Sequence, residues 1–336
     1  MKVFKNINKA KEFCKKGSAI AIGNYDGFHF GHQAIIKELI KKAKKEKLRA
    51  VLLTFEPHPA EILAPQAALK LISTFDQKVE LLKPSGLDAA IFHPFDKKFA
   101  LTTPQQFFTH HLKTHLKAKH IYVGHDFTFG DKRSGNIETL ERFGKEHGVC
   151  VNIIKAKLRD NMLVSSSLIR KLIKEGNLTI AQKLLTRDYY IDGTVIHGHS
   201  RGTALGVHTA NLNTDNMLLP QDGVYATRTR VGKKTYNSVT NIGFNPTFEN
   251  KDRSIETHIL NFDRDIYEKN MRLYFVAKIR NEIRFATTEA LVKQIGKDVE
   301  MAEKLLGLGV KGSMVRSYAR RRKTLSEVEG LDARRR

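Results

Sequence analysis

The sequence predicts an α/β domain built on a parallel sheet, followed by a small antiparallel β-domain closed by a helix. Three observations carry this. From residue 18 to about 155, short apolar runs alternate with amphipathic stretches. Strand, helix, strand repeated in that way implies parallel strands covered by helices. After about Arg187 the texture changes to glycine-punctuated, closely spaced runs of alternating residues, the pattern of a small barrel or sandwich. A final amphipathic stretch, "TTEALVKQIGKDVEMAEKLL", closes that region as one helix. The expected domains are therefore residues 1–186 and 187–308, with a tail over 309–336.

The elements follow in order. "SAIAIG" is a short continuous apolar run, and "HQAIIKELIKKAKKEKL" sets Ile35, Ile36, Leu39, Ile40 and Ala43 on one helical stripe. "AVLLTF" is a buried-strand run. "TFDQKVELLKPSG" is helical and stops at Pro84-Ser85-Gly86, and "AAIFHPF" follows as a strand. Then come the helix "TPQQFFTHHLKTHL", the strand "HIYVG", the helix "NIETLERFGKEHG" and the strand "VCVNIIKA". "SSLIRKLIKEGN" is a helix ending at Gly176, followed by "LTIAQKLL". In the second region "GVYATRTR", "KTYNSVTNIG", "SIETHILNF" and "MRLYFVAKIR" read as strands, with Gly232-Lys233 as a hairpin turn.

Composition bounds the function. The chain has 336 residues, 41% of them hydrophobic, which suits a soluble protein of about two domains. No apolar run approaches a membrane span, and "MKVFKNINKAKEFCKKG" lacks the apolar centre of a secretory signal. The two cysteines, Cys14 and Cys150, have no CxxC spacing, which points to a reducing, cytoplasmic location. The formal charge of +23 raises the possibility of nucleic-acid binding. Nine Lys/Arg and three Asp/Glu from Gly309 onward give the tail +6, leaving +17 on the rest, where lysines are spread over helix faces as in "KELIKKAKKEKLR". No specific nucleic-acid contact is expected; a basic protein handling small polyanions fits better. The tail has no apolar period to bury and reads as a solvated extension that packs on nothing. Self-association is left open.

The densest chemistry in the first domain is "GNYDGFHFGH", Gly23 to His32, placed directly after the first strand. Ligands of open parallel sheets sit outside the carboxyl ends of the strands. Free N–H groups and the positive end of the following helix favour an anion there, and Gly23 and Gly31 let backbone approach it closely. His29 and His32 can both donate to phosphate oxygens. Zinc is the rival, but HEXXH is absent and neither His58 nor His110 and His111 has a spacing that points to this loop. A plain tight turn with incidental histidines is the other alternative. "VSSSLIRK" supplies a second anion-ready helix start, with serines at the N-cap and Arg170 about one turn inside.

Together these segments resemble the HxGH nucleotidyltransferases, whose pattern is GxFDGxHxGH at a first strand–helix junction and SSTxIR at a late helix start. In order, with "TFEPHP" (Thr54 to Pro59) and "VGHDFTFGDKRSGN" (Val123 to Asn136), they resemble the adenylyltransferase half of bifunctional riboflavin kinase/FAD synthetase. Tyr25 stands where the family has Phe, and Ser167 where it has Thr. The resemblance implies a Rossmann-like fold and attack of the FMN phosphate on the α-phosphorus of ATP, giving FAD and pyrophosphate. By the same resemblance His29 and His32 contact the ATP phosphates, and Ser165, Ser166 and Arg170 hold them from the other side. Asn24, Asp126 and Arg133 are candidates to line the flavin or nucleotide pocket; Asp126 is equally readable as a satisfied turn residue.

In the second domain "GTVIHGHSRGTALGVHTANLN" spaces Gly198, Gly202 and Gly206 four apart around Arg201, a flexible basic loop suited to phosphates. Thr209 and Asn211 then offer a hydroxyl and an amide oxygen of the kind Mg²⁺ accepts. A glycine-rich hairpin without a ligand is the alternative. The segment resembles the flavokinase pattern GxVxxGxxxGxxxGxPTAN, and "GVYA", "NIGFNPTF", "IETHILNF", "DIY" and "RFATTEALVKQIGKD" follow in that family's order, so the two halves together cover about residues 15 to 305. The resemblance implies a Greek-key barrel in which Glu256 takes the riboflavin 5′-hydroxyl proton as that oxygen attacks the γ-phosphate of ATP. Alternation in "SIETHIL" also allows Glu256 to be simply an outward strand residue. His208 replaces the family proline, which would stiffen the loop.

The expectation is a bifunctional enzyme that converts riboflavin to FMN and FMN to FAD, with ATP as co-substrate and Mg²⁺ as cofactor. The alternatives are an FAD synthetase with an impaired kinase half, HTAN standing in place of PTAN, and a basic nucleic-acid-binding protein.

Overall fold

A computed structural model describes residues 1–67, 69–197, 208–244 and 253–307. It divides into two compact units, one of residues 1–170 and 183–186, the other of residues 171–182 and 187 onward.

The first unit carries β1 (Lys2–Phe4), α1 (Ile7–Ala10), β2 (Ser18–Ile22), α2 (Phe30–Lys45), β3 (Arg49–Glu56), α3 (Pro59–Leu63), α4 (Phe75–Leu82) and β4 (Ala89–Pro94). These are followed by α5 (Lys97–Ala100), α6 (Pro104–Gln106), β5 (Ala118–Gly124), α7 (Ile137–His147) and β6 (Cys150–Ile154). The strands form one sheet in the order β1-β4-β3-β2-β5-β6, every neighbouring pair parallel. The expected parallel sheet is present, with one edge strand, β1, that its short sequence does not betray.

The apolar runs are continuous because both faces of the sheet are covered. Ile20, Ile22, Val51, Leu53, Ile121 and Val123 pack with Phe107, Phe108, Leu112, Leu140 and Phe143 on one side. Ala19, Ala21, Ala50, Leu52 and Ala90 meet Ile35, Ile36, Leu39 and Ala43 of α2 on the other. Small residues on that face admit the helix closely. The segment expected as a helix over "TPQQFFTHHLKTHL" differs in its winding. After α6 it continues as a π-helix, Phe107–His115, in which Leu116 N–H donates to His111 C=O. The i→i+5 step brings residues four and five apart onto one line. Phe107, Leu112 and Leu116 have that spacing, and all are buried.

A short ribbon, β7 (Leu158–Arg159) with β8 (Met162–Leu163), precedes α8 (Ser166–Lys174) and α9 (Leu178–Leu185). The second unit contains β9 (Tyr189–Ile196), β10 (Ala210–Asn213), β11 (Gly223–Val231), β12 (Lys234–Phe244), β13 (Arg253–Ile259), β14 (Asn270–Arg280) and α10 (Thr288–Leu305). Its six strands close into an antiparallel barrel in the order β10-β13-β12-β11-β14-β9. Within it β14-β11-β12-β13 has the Greek-key order. The β11–β12 hairpin turns at Gly232, where φ is 60°.

Inside the barrel a chain of hydroxyls runs Thr229–Ser238–Thr227–Thr240–Thr257, linked at 2.7–3.0 Å. All five residues are fully buried, so each hydroxyl is satisfied by its neighbours rather than by water. The α10 helix is fastened to β14 by Arg280, whose guanidinium grips the buried Asp298 carboxylate at 2.7–3.1 Å. The tail over 309–336, and with it the expectation that it packs on nothing, lies outside the described residues.

Candidate active sites

In the first unit β2 is flanked by β3 on one side and β5 on the other, so chain order reverses beside it and its carboxyl end opens on a crevice. The loop 23–29 leaves β2 there. Gly23 N–H donates to Leu53 C=O at 3.2 Å, and Asn24 C=O accepts from the buried Thr54 hydroxyl at 3.1 Å. His29 is the N-cap of α2: its Nδ1 accepts from His32 N–H at 3.4 Å. The two imidazoles stack with centroids 3.6 Å apart, and Gly31 lies beneath the His29 ring, where a Cβ would come within 3.2 Å of it.

The second anion-ready terminus lies against this loop. Ser165 caps α8, its Oγ accepting from Leu168 N–H at 3.2 Å. Ser166 Oγ donates to Asp26 C=O at 3.0 Å, and Arg170 Nη2 donates to the Asp26 carboxylate at 2.8 Å. The structure thus brings His29, His32, Ser165, Ser166, Arg170, Gly31 and Asn24 into one neighbourhood.

Three residues outside the expected set belong here as well. Asp26 is 1% exposed. The other two are His58 and Lys78. His58 caps α3, Nδ1 accepting from Ala60 N–H at 3.1 Å, and burial pushes its imidazole down to about 4 despite the opposing charge of Asp26. Lys78 is buried with its ammonium 3.6 Å from Glu56 Oε2. Burial raises the Glu56 carboxyl above its ordinary range while Lys78 pulls it down. Asp26 stands inside the "GNYDGFHFGH" stretch, where its position between the glycines is the available signal; Lys78 sits on an amphipathic helix where a lysine normally reads as solvated.

Asp126 and Arg133 are placed differently. Both are exposed, on the segment that follows β5. Phe127 N–H closes a turn onto Gly124 C=O at 3.2 Å, and Arg133 has a φ of 58°.

In the barrel, Glu256 on β13 stands opposite Asn211 on β10 and opposite Asn241 on β12. Ile255, Thr257 and Ile259 are buried, so Glu256 lies on the outer face with Asn211 and Asn241, all three partly exposed. Asn241 is hydrogen-bonded to the Glu282 carboxylate, which burial raises above its ordinary range. Thr209 immediately precedes β10, and His208 C=O accepts from His258 Nδ1 at 2.9 Å. Gly193 on β9 has no room for a side chain: a Cβ would lie 2.0 Å from Asn213 C=O. Gly198, Arg201, Gly202 and Gly206 lie outside the described residues. Among the described residues no group of three His, Cys, Asp or Glu side chains is arranged for a metal, and no helix is long and apolar enough to cross a membrane.

Comparison with known proteins agrees with this architecture. The family model for FAD synthetase matches residues 11–168, and that for riboflavin kinase matches residues 185–306. A bifunctional riboflavin kinase/FMN adenylyltransferase of Buchnera aphidicola subsp. Schizaphis graminum is 35% identical, covering 92% of this chain and 100% of its own. The Escherichia coli K12 protein of the same description is 33% identical over 92% of this chain and 99% of its own. A solved structure described as a macrolide-efflux protein from Streptococcus pneumoniae superposes with a TM-score of 0.81 at 30% identity, covering 90% of this chain and 98% of that one. Matched by both family models and by relatives along their full length, the chain belongs to the bifunctional riboflavin kinase/FMN adenylyltransferase family.

Proposed function

We propose that the first unit performs adenylyl transfer, FMN plus ATP to FAD and pyrophosphate, in the crevice at the carboxyl end of β2, and that the barrel phosphorylates riboflavin on the face bearing Glu256. The observation that supports the first assignment is the meeting of two helix starts, those of α2 and α8, at Asp26. Two such termini present N–H groups and positive dipole ends to a single polyanion. His29 Nδ1 accepts from His32 N–H, which leaves Nε2 as the ring nitrogen that can donate to a phosphate oxygen. His32, Ser165, Ser166 and Arg170 complete the set around the ATP phosphates. As an FMN phosphate oxygen bonds to the α-phosphorus, the bond to the β-phosphate bridging oxygen breaks and pyrophosphate departs. The protein contributes position and charge neutralisation, with no covalent intermediate. Asn24 lines the same loop; Asp126 and Arg133 remain candidates for the flavin side.

In the barrel the Glu256 carboxylate accepts the 5′-hydroxyl proton of riboflavin as that oxygen bonds to the γ-phosphorus of ATP, while the bond from that phosphorus to the β,γ-bridging oxygen breaks and ADP departs. The Thr209 hydroxyl just before β10 and the Asn211 amide oxygen on it are hard, neutral donors and fit Mg²⁺, which would otherwise be held by the nucleotide phosphates. When bound, Mg²⁺ neutralises charge on the phosphoryl group in transfer. Gly198, Arg201, Gly202 and Gly206 are assigned to the ATP phosphates on the sequence pattern. Both cysteines are free thiols, in keeping with a cytoplasmic site of action.

The test uses the full chain with riboflavin, ATP and Mg²⁺, followed by separation of the flavins. FMN and FAD are both expected. The His29→Ala/His32→Ala double variant should make FMN and stop there; FAD at the normal rate from that variant would reject the phosphate assignment. Chelation of Mg²⁺ should halt both steps.

A further inference from the structure

We propose that Asp26 is a positioning residue for adenylyl transfer, aiming Arg170 and locking the start of α8 to the histidine loop. It rests on the reading that these two helix starts hold the ATP phosphates.

A buried carboxylate is costly unless donors surround it. Asp26 is 1% exposed and has several donors. Ile72 N–H donates to both oxygens at 3.1 and 3.0 Å, Ser73 N–H to Oδ1 at 3.1 Å, and Arg170 Nη2 to Oδ2 at 2.8 Å. Its own C=O accepts from Ser166. One residue therefore joins three stretches distant in sequence: the loop 23–29, the turn 72–74 that starts α4, and the first turn of α8. Gly27 beside it has a φ of 76°, and a Cβ there would come within 2.9 Å of Ile72, so loop and turn are pressed together without a side chain between them. The carboxylate is engaged by donors on both oxygens, which makes it a clamp rather than a proton acceptor.

The consequence falls on Arg170. A guanidinium is a rigid fork, so fixing one nitrogen fixes the direction of the others. With Nη2 on Asp26, Arg170 Nε is shielded from solvent and has no hydrogen-bond partner. A buried cationic donor without a partner is expensive, and an incoming phosphate oxygen would satisfy it. Asp26 thereby keeps a charged donor pre-aimed and prevents it from folding onto another acceptor before ATP arrives.

The experiment uses the full chain, in which riboflavin phosphorylation serves as an internal control. In Asp26→Asn, kcat for FMN to FAD should fall on the order of 100-fold, the cost of misplacing a catalytic donor by about 1 Å. FMN formation should change little, and the first unit should stay folded but melt at a lower temperature, because the amide leaves the Arg170 charge without its carboxylate. Because Asp26 acts through Arg170, the Asp26→Asn/Arg170→Gln chain should be no slower than Arg170→Gln alone, whereas a merely structural residue would add its own loss. Asp26→Glu keeps the charge but lengthens the arm, and should also lose kcat. Independent, multiplying losses, or a wild-type kcat in Asp26→Asn, would overturn the proposal. So would a first unit that fails to fold in both Asp26 variants, because Asp26 would then be a stability residue. If His29→Ala/His32→Ala still makes FAD, the phosphate-cradle reading fails instead; if that variant is dead while Asp26→Asn is active, only the positioning role fails.

Discussion

The Tyr25 ring lies 4.6 Å from the His32 imidazole, centroid to centroid, while its hydroxyl is buried and has no hydrogen-bond partner. Tyr25 is 1% exposed, and burial pushes its phenol far above the ordinary range. An orphaned buried hydroxyl forfeits its hydration, a cost of about 1–3 kcal/mol. Phenylalanine fills the same place without that cost. Tyr25→Phe should therefore raise stability by about 1 kcal/mol and leave the ring contact with His32 intact. Denaturant unfolding and the rate of FAD formation check this; a destabilised or slow variant would show that the hydroxyl has a use.

The first unit should lose stability as pH falls from neutral. His58, His93 and His111 are each held down to about 4 chiefly by burial, from an ordinary value near 6.5. Between those values the unfolded chain binds protons that the folded chain does not, so acidification favours unfolding. The loss sets in below about 6.5 and levels off below about 4. His111 is also surrounded by His93, His110 and His115, whose charges oppose its protonation. His111→Gln should flatten the pH dependence of the unfolding free energy between 7 and 5. An unchanged slope would contradict the assignment.

Gly193→Ala should damage the barrel selectively. The added Cβ meets the Asn213 carbonyl at 2.0 Å, and that contact is backbone against backbone between paired strands, so no rotamer relieves it. Overpacking of this kind costs about 3 kcal/mol or more. Asn211 lies on the displaced strand. Riboflavin phosphorylation should be lost, while FMN supplied directly should still be converted to FAD.

His208 should not silence the kinase. It is exposed and precedes Thr209, and its carbonyl is tied to His258. Replacing it by proline changes chain stiffness by about 0.4–1 kcal/mol if the local φ suits proline. His208→Pro should alter kcat for FMN formation by no more than several-fold. Glu256→Gln should abolish it, because an amide cannot accept the hydroxyl proton. A wild-type chain that makes FMN only after His208→Pro would reverse this ranking.

Much of this protein is legible before any coordinate. Continuous apolar runs separated by amphipathic helices specify a parallel sheet covered on both faces, since such strands have no solvated side to alternate with. The hairpin at Gly232 follows from local turn chemistry, and Ser165 as a helix cap follows from its place before an apolar period. The two histidines three apart follow the apolar run that becomes β2, which puts them at the carboxyl end of that strand. What the residues by themselves do not disclose depends on long-range packing. Asp26 meets Ile72, Ser73 and Arg170 across up to 144 positions of sequence, and no local pattern encodes those partners. Lys78 lies on α4 and is buried by long-range packing, so a residue that reads as solvated becomes an interior charge paired with Glu56. The π-winding of residues 107–115 arises because Phe107, Leu112 and Leu116 must reach one core. The hydroxyl chain from Thr229 to Thr257 exists only once three strands close side by side. Periodicity and turn chemistry are properties of neighbours in sequence, whereas burial and pairing are properties of neighbours in space, and only folding determines which residues those are.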